Sequence, residues 1–409
     1  MTTLDGLRYP KLRPVDPRPI VHEGQPLLLL RDPLRLSDKM LLVPEPLVAL
    51  LALCDGTRED AGALGAAFAI RFGQRVHPDT LDQLLAALDE ALLLENERFA
   101  QAQEQALSEY RAAPYREPAL AGQSYPDDAN ELRGLLQSYV EAAEVTLPTE
   151  AWDGRGLVSP HIDYMRGGHV YARVWLRAAE RARAADLVVL LGTDHYGGDG
   201  QITLTRQNYA TPFGVLPTAG DIVDALAESI GEESAFAAEL HHRSEHSIEL
   251  AAVWLHFIRE GRPCELVPIL CGSFASFAHC TADPEQDPAI IGFLKTLAAK
   301  TAGRSVMIVA AGDLAHVGPA FGGQPVDLGS RSALKESDDE LMARICEGDA
   351  EGFLAAIKRV EDRNNVCGVS PIYLALKLAG RGVGEQVSYD RCPADENETS
   401  LVSVCGVLF

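Results

Sequence analysis

The stretch Asp186-Leu187-Val188-Val189-Leu190-Leu191-Gly192-Thr193-Asp194-His195 decides how this chain is read. A short apolar run, rich in Val and Leu and stopped by glycine, is a strand buried on both faces. An acid and an imidazole come directly after it. Two other segments have the same form. Gly156–Val158 runs into Ser159-Pro160-His161-Ile162-Asp163, and Val306–Ala311 runs into Gly312-Asp313-Leu314-Ala315-His316. If the three strands lie parallel, their polar ends open together at the carboxyl edge of one sheet, where α/β proteins place ligands. Imidazoles and carboxylates meeting there can hold a transition metal.

Around these strands the chain alternates. Helical patterns fall over Leu132–Ala143, Val170–Ala184, Asp221–Ile230, Ile248–Ile258, Pro288–Lys300 and Pro371–Ala379. Further strands fall over Leu266–Leu270, Gln386–Tyr389 and Leu401–Leu408. Alternating strands and helices imply an α/β fold, a three-layer αβα domain with a central mostly parallel or mixed sheet. This domain spans 115–409.

Residues 1–96 have a pattern of their own. Leu27–Leu30 and Met40–Val43 read as short strands, and helices fit Pro46–Leu53, Glu59–Phe72 and Pro78–Leu92. Thr57 is the expected cap of the second helix. Leu93–Glu95 reads as a closing strand. Residues 97–114, rich in Ala and Gln, read as a solvated linker helix.

Composition narrows the partners. A chain of 409 residues suggests two or more domains, and a net charge of −23 argues against nucleic acid, which needs clustered Lys and Arg. The eight cysteines form no CxxC pair, so neither a zinc ribbon nor a thioredoxin-like motif is supported. The opening residues Met1 to Gly6 lack the basic and apolar regions of a signal peptide, and no apolar stretch approaches a membrane span. The expectation is a reducing, cytoplasmic setting.

His161 and His195 are the first metal candidates, since neutral imidazole suits iron, copper or zinc. The bland alternative for each is a core histidine bonded to backbone. The third ligand is open between Asp313 and His316. His316 is the favoured ligand, with Asp313 orienting a neighbour. His246, in Ser244-Glu245-His246-Ser247 at a helix start, is a candidate general acid or base, or else a capping residue. Ser244 is the expected N-cap of that helix, whose positive end would lower the imidazole pKa, while Glu245 and Glu249 would raise it. His241 and His242 are expected at the surface. Asp163, Tyr164, Asp194 and Cys367 complete the candidate pocket. Arg166 is an anion contact or a surface charge, and Gly167-Gly168 reads as a loop.

The chain resembles the Memo family. The residues that carry the resemblance are Arg116–Pro126, Ser159-Pro160-His161-Ile162-Asp163-Tyr164 with Gly167-Gly168, Gly192-Thr193-Asp194-His195 and Thr211-Pro212-Phe213-Gly214. Glu245-His246-Ser247-Ile248-Glu249, Asp313-Leu314-Ala315-His316, Cys367-Gly368 with Pro371, and Ser400–Gly406 complete the set. It implies a fold similar to the class III extradiol dioxygenases. It also implies a divalent transition metal, iron first with zinc or copper as alternatives, and the B-component place in the AmmeMemoRadiSam system beside a radical-SAM partner. In this reading Cys367 lies near the site. Ala315 stands where related proteins carry Cys or Ser, which puts a thiolate-dependent site in doubt. Residues 1–96 resemble the PqqD-like winged-helix domains that bind peptides; a helical cap or dimerisation domain is the alternative. Three functions stand as expectations. One is a metal-dependent, dioxygenase-like redox enzyme on a small or peptide-derived substrate, with His246 and Asp313 catalytic. The others are a non-catalytic peptide- or protein-binding module and a metal-assisted hydrolase.

Overall fold

A computed structural model of the chain describes residues 8–143, 152–279 and 281–409. The opening Met1–Gly6 and Cys280 therefore lie outside the described residues. The chain divides into two compact units, Met1–Ala112 and Ala113–Phe409.

The first unit holds a three-stranded antiparallel sheet of β1 (Asp16–His22), β2 (Gln25–Arg31) and β3 (Leu41–Pro44), in that order. Sequence pattern does not announce β1, because Pro17 and Pro19 argue against a strand. Two residues apart on an edge strand, both prolines remove N–H groups on the same, unpaired side, so no ladder bond is lost. Glu23 and Gly24 both have positive φ, which suits a two-residue hairpin turn. Helices Glu45–Leu51, Ala61–Phe72, Pro78–Glu90 and Glu97–Ala112 come next. The core gathers Leu30, Val43, Leu50, Leu64, Leu85 and Leu88. Asp60, not Thr57, caps the second helix, accepting from Ala63 N at 2.8 Å. Thr57 instead closes an Asx turn on Asp55. The fourth helix buries Ala106 and Tyr110, so it is not fully solvated.

The second unit is built on an eight-stranded mixed sheet. Its strands are β4 (Gly156–Ser159), β5 (Leu187–Thr193), β6 (Ile202–Leu204), β9 (Glu265–Cys271), β10 (Val306–Ala311), β11 (His316–Val317), β12 (Glu385–Pro393) and β13 (Leu401–Leu408). A small hairpin of β7 (Tyr209–Thr211) and β8 (Gly214–Leu216) stands apart. The order is β11-β13-β4-β10-β5-β9-β6, with β12 also on β13. The strands β4, β10, β5 and β9 are mutually parallel.

Both faces are covered, as the continuous apolar runs required. Along β5, Leu187, Val189 and Leu191 enter one core with helices Gly220–Ile230, Pro288–Thr301 and Val369–Ala379. Val188 and Leu190 enter the other, with Tyr164–Arg177 and Ser247–Ile258. The fold is thus α/β with helices on either side of the sheet. Gly167 and Gly168 lie inside helix Tyr164–Arg177, not in a loop. A Cβ on Gly167 would clash with Ile162, and one on Gly168 would lie 2.6 Å from Tyr139, so these glycines let the helix pack closely. Among the described residues no helix is long and apolar enough to cross a membrane.

Candidate metal centre

Because β4, β10 and β5 are adjacent and parallel, their carboxyl ends meet. Ser159 pairs with Ala311, and Ala311 with Gly192. His161 and Asp313 each stand two residues after their strands, and His195 two after Thr193. The ring centroids of His161 and His195 are 5.0 Å apart, and His246 lies 5.4 and 4.8 Å from them.

Two of the rings are held by one nitrogen each. His161 Nδ1 is 3.1 Å from Ala311 O, which leaves Nε2 to face Cys367 Sγ at 3.2 Å. His195 Nδ1 is 3.0 Å from Glu245 Oε2. Fixing one nitrogen by a carbonyl or carboxylate and presenting the other is how proteins orient metal-binding imidazoles. His161, His195 and Cys367 each offer a donor atom, all within 4.8 Å of one another; His195, Glu245 and His246 form a second such set.

Cys367 is the donor that sequence reasoning left at the margin. Its loop reaches the site because two glycines touch: a Cβ on Gly312 would lie 2.7 Å from Gly368 Cα, and one on Gly368 would lie 2.6 Å from Asp313 O. Gly368 N donates to Asp313 O at 2.9 Å, and Thr193 Oγ1 donates to Cys367 O at 3.2 Å. The only sequence signal was the Cys-Gly pair itself. A thiol is present after all, so Ala315 does not remove one; Ala315 is fully buried beside Leu334 and Leu401.

His316 is not brought into either donor set. Its Nδ1 faces Leu314 O at 3.2 Å and its ring stands edge-on to Phe321. Asp313 accepts from His161 N at 2.9 Å and lies 3.7 Å from His161 Nε2, an orienting position.

The first turn of helix Ser247–Ile258 is capped by Glu245, not Ser244. The Glu245 carboxylate accepts from His246 N at 2.7 Å and Ser247 N at 3.0 Å, and also lies 3.0 Å from His246 Nδ1. Ser244 ends the preceding short helix, His241–Ser244. Burial pushes the Glu245 carboxyl up, but the His195 and His246 imidazoles outweigh it and hold it well below the usual range. Burial likewise works against the charged forms of the Cys367–His161 pair. Their mutual attraction wins: the thiol is held well below its ordinary value, and His161 is pushed up to about 9 with Cys367 and then Asp313 as the causes.

The other candidates face elsewhere. Asp163 caps helix Tyr164–Arg177 and pairs with Arg166, which removes Arg166 as a free anion contact. Tyr164 is buried among aromatics and donates to Leu250 O at 2.7 Å. Asp194 holds His241 Nδ1 at 2.8 Å. Glu249 is enclosed with Arg116, Ala119 and Leu120 backbone, and Tyr125.

His242, expected at the surface, is buried. Its Nε2 donates to Thr203 O at 3.1 Å and its Nδ1 accepts from Tyr209 OH at 2.5 Å, so the ring is held neutral. Burial depresses its pKa to about 3, opposed by the hydrogen bond to the Thr203 carbonyl and, less, by Glu245, with nearby Arg116 and His241 adding to the depression. The unfolded chain therefore takes up this proton first as pH falls. Stability is full above pH ~6.5 and is lost on descending towards pH 3. Unfolding free energies at pH 7 and pH 5 should show a loss about 2 kcal/mol larger in wild type than in His242→Gln. Equal losses would refute the assignment.

The class is now defined: an α/β protein with a His, Cys and Glu donor group at the carboxyl edge of its parallel strands. The family model for Memo-like protein matches residues 116–407, and the chain belongs to the Memo family. A MEMO1 family protein of Aquifex aeolicus is 29% identical over 412 residues, covering 98% of this chain and 99% of that protein. One from Methanosarcina acetivorans is 29% identical over 275 residues, 67% of this chain and 89% of the relative. One from Thermus thermophilus is 30% identical over 290 residues, 70% and 80% respectively. The Aquifex match thus extends over both units, whereas the Methanosarcina match covers about two thirds of the chain.

Proposed function

We propose that His161 Nε2, His195 Nε2 and Cys367 Sγ hold one transition-metal ion, and that His246 moves a proton on a small substrate beside it. The observation that carries this reading is the convergence of two oriented imidazoles and a depressed thiol within 4.8 Å. Two nitrogens and a sulfur suit copper or zinc by softness; iron is the ion the dioxygenase-like resemblance favours, although its usual face is two His and a carboxylate. A bound ion would supply Lewis acidity and, if copper or iron, one-electron chemistry.

The protein's own part is orientation and proton transfer. Ala311 O and Glu245 fix the two ligand rings. Glu245 also holds His246 Nδ1, which leaves Nε2 of a partly exposed ring to accept or deliver a proton. A catalytic reading ranks ahead of a binding module that merely holds the ion because His246 is both oriented and accessible.

Protein purified anaerobically should carry close to one transition ion per chain by elemental analysis and should consume oxygen with a catechol. Failure to retain iron, copper or zinc after loading would overturn the metal reading. Retention without oxygen uptake would overturn the redox reading alone.

A further inference from the structure

A cleft of about 620 Å³ opens beside the candidate centre and contributes no residue to either donor set. One wall is the segment from His316 to Val326; the other is Arg363 to Asn365. Its size is that of a pocket for one small molecule.

Three observations define what it would take. First, the chain as a whole carries a charge of −23, yet no Asp or Glu lines this cleft among the described residues. Arg363 does line it. Second, the Arg363 guanidinium has no hydrogen-bond or ion-pair partner among the described residues, whereas Arg166, Arg177 and Arg206 are all paired. The neighbouring acid Asp362 is engaged by Val366 N at 2.9 Å. Third, much of the remaining lining is apolar and aromatic: Phe321 is partly exposed, with Val317, Pro325 and Leu334 around it. His316 turns Nδ1 to Leu314 O and keeps Nε2 without a partner among the described residues.

The cleft is also joined to the donor group. His316 N donates to Asn364 O at 2.8 Å, tying the two walls together. The wall segment ends at Asn365, two residues before Cys367. Asn364 Nδ2 donates to Ser337 Oγ at 3.0 Å, which anchors the turn that presents Arg363.

We propose that this cleft binds a small organic carboxylate with an apolar or aromatic body, its acid group on the Arg363 guanidinium and its body against Phe321. A planar guanidinium takes a carboxylate through paired charge-assisted bonds, and that of Arg363, exposed in a cleft lined by no acid, is open to one. Only the role of the ligand as substrate rests on the proposed function; binding itself does not.

The probe is hippurate (N-benzoylglycine), with its primary amide as the neutral control, titrated calorimetrically into full-length protein with and without metal. Hippurate should bind metal-free protein and lose about tenfold in affinity in Arg363→Gln and in the amide. Phe321→Ala should also weaken it, and Cys367→Ser should not. Metal content should be unchanged in Arg363→Gln. Equal binding of acid and amide, equal binding by Arg363→Gln, or no binding at millimolar hippurate would each overturn the proposal. Hippurate binding in a protein that retains no metal would sustain the cleft and overturn the metal reading instead.

Discussion

Cys367→Ser should lower the affinity of the centre for its ion by more than Glu245→Gln does. Glu245 acts through the His195 ring, and outer partners of that kind are worth roughly 10–100-fold in metal affinity. Cys367 would be a direct donor, and a serine hydroxyl stays protonated at pH 7 and binds soft ions poorly. Chelator competition measures the affinities. Copper-loaded wild type should also show a sulfur-to-metal charge-transfer band that Cys367→Ser lacks. Thermal stability without metal should also fall, because serine leaves the His161 imidazolium without the thiolate that stabilises it, while the Gly312–Gly368 contact that seats the loop is unaffected. An unchanged affinity in Cys367→Ser would move the ion to the other donor set, His195, Glu245 and His246.

The parts of this centre that could be read from sequence were those whose neighbours are set by chain continuity. A strand buried on both faces is a continuous apolar run, and the residues just past its end fall at the sheet edge. His161, His195 and Asp313 were legible for that reason. Cys367 was legible near the site only through the family resemblance, and not as a donor, because it precedes a helix far down the chain and reaches the site through a glycine–glycine contact with no periodic signature. His316 looked better placed than it is, since the chain turns away at Leu314 and β11 pairs with β13. Around His246 the residue types were right and the roles shifted by one position. Ser244 has the chemistry of a cap, but Glu245 reaches the same N–H groups while also gripping two imidazoles. His242 could not be told from His241, because burial of one residue in a four-residue helix leaves no pattern. Helices Leu328–Cys346 and Ala350–Arg359 were not legible either. The first buries only a narrow stripe, Leu334, Asp338, Leu341, Met342 and Ile345, within a charged surface.

Glu249→Gln should strongly destabilise the second unit, although Glu249 belongs to neither candidate donor set. Arg116 and Glu249 have fully buried side chains and form an ion pair. The same carboxylate accepts from Ala119 N and Leu120 N, each at 2.8 Å, and from Tyr125 OH at 2.5 Å. An amide cannot match this. It removes the charge that balances a buried guanidinium, and its NH₂ group faces donors that need an acceptor. Breaking one side of such a pair costs about 3–5 kcal/mol, which corresponds to a Tm lower by on the order of 10 °C for a unit of this size. Arg116→Met with Glu249→Leu should recover only the part of the loss that comes from the unpaired guanidinium, since Ala119 N, Leu120 N and Tyr125 OH are then left without an acceptor. The effect should also reach the centre. Arg116 donates from Nε to His242 O at 2.8 Å and from Nη2 to Glu245 O at 2.9 Å, so it holds the backbone from which Glu245 and His246 project. Metal affinity in Glu249→Gln should therefore fall along with Tm, whereas the double variant should regain part of the stability without regaining affinity, because methionine cannot hold those carbonyls. A Tm of Glu249→Gln within about 2 °C of wild type would show that the buried guanidinium does not depend on this carboxylate, and an unchanged metal affinity in the double variant would show that the turn bearing Glu245 keeps its geometry without Arg116.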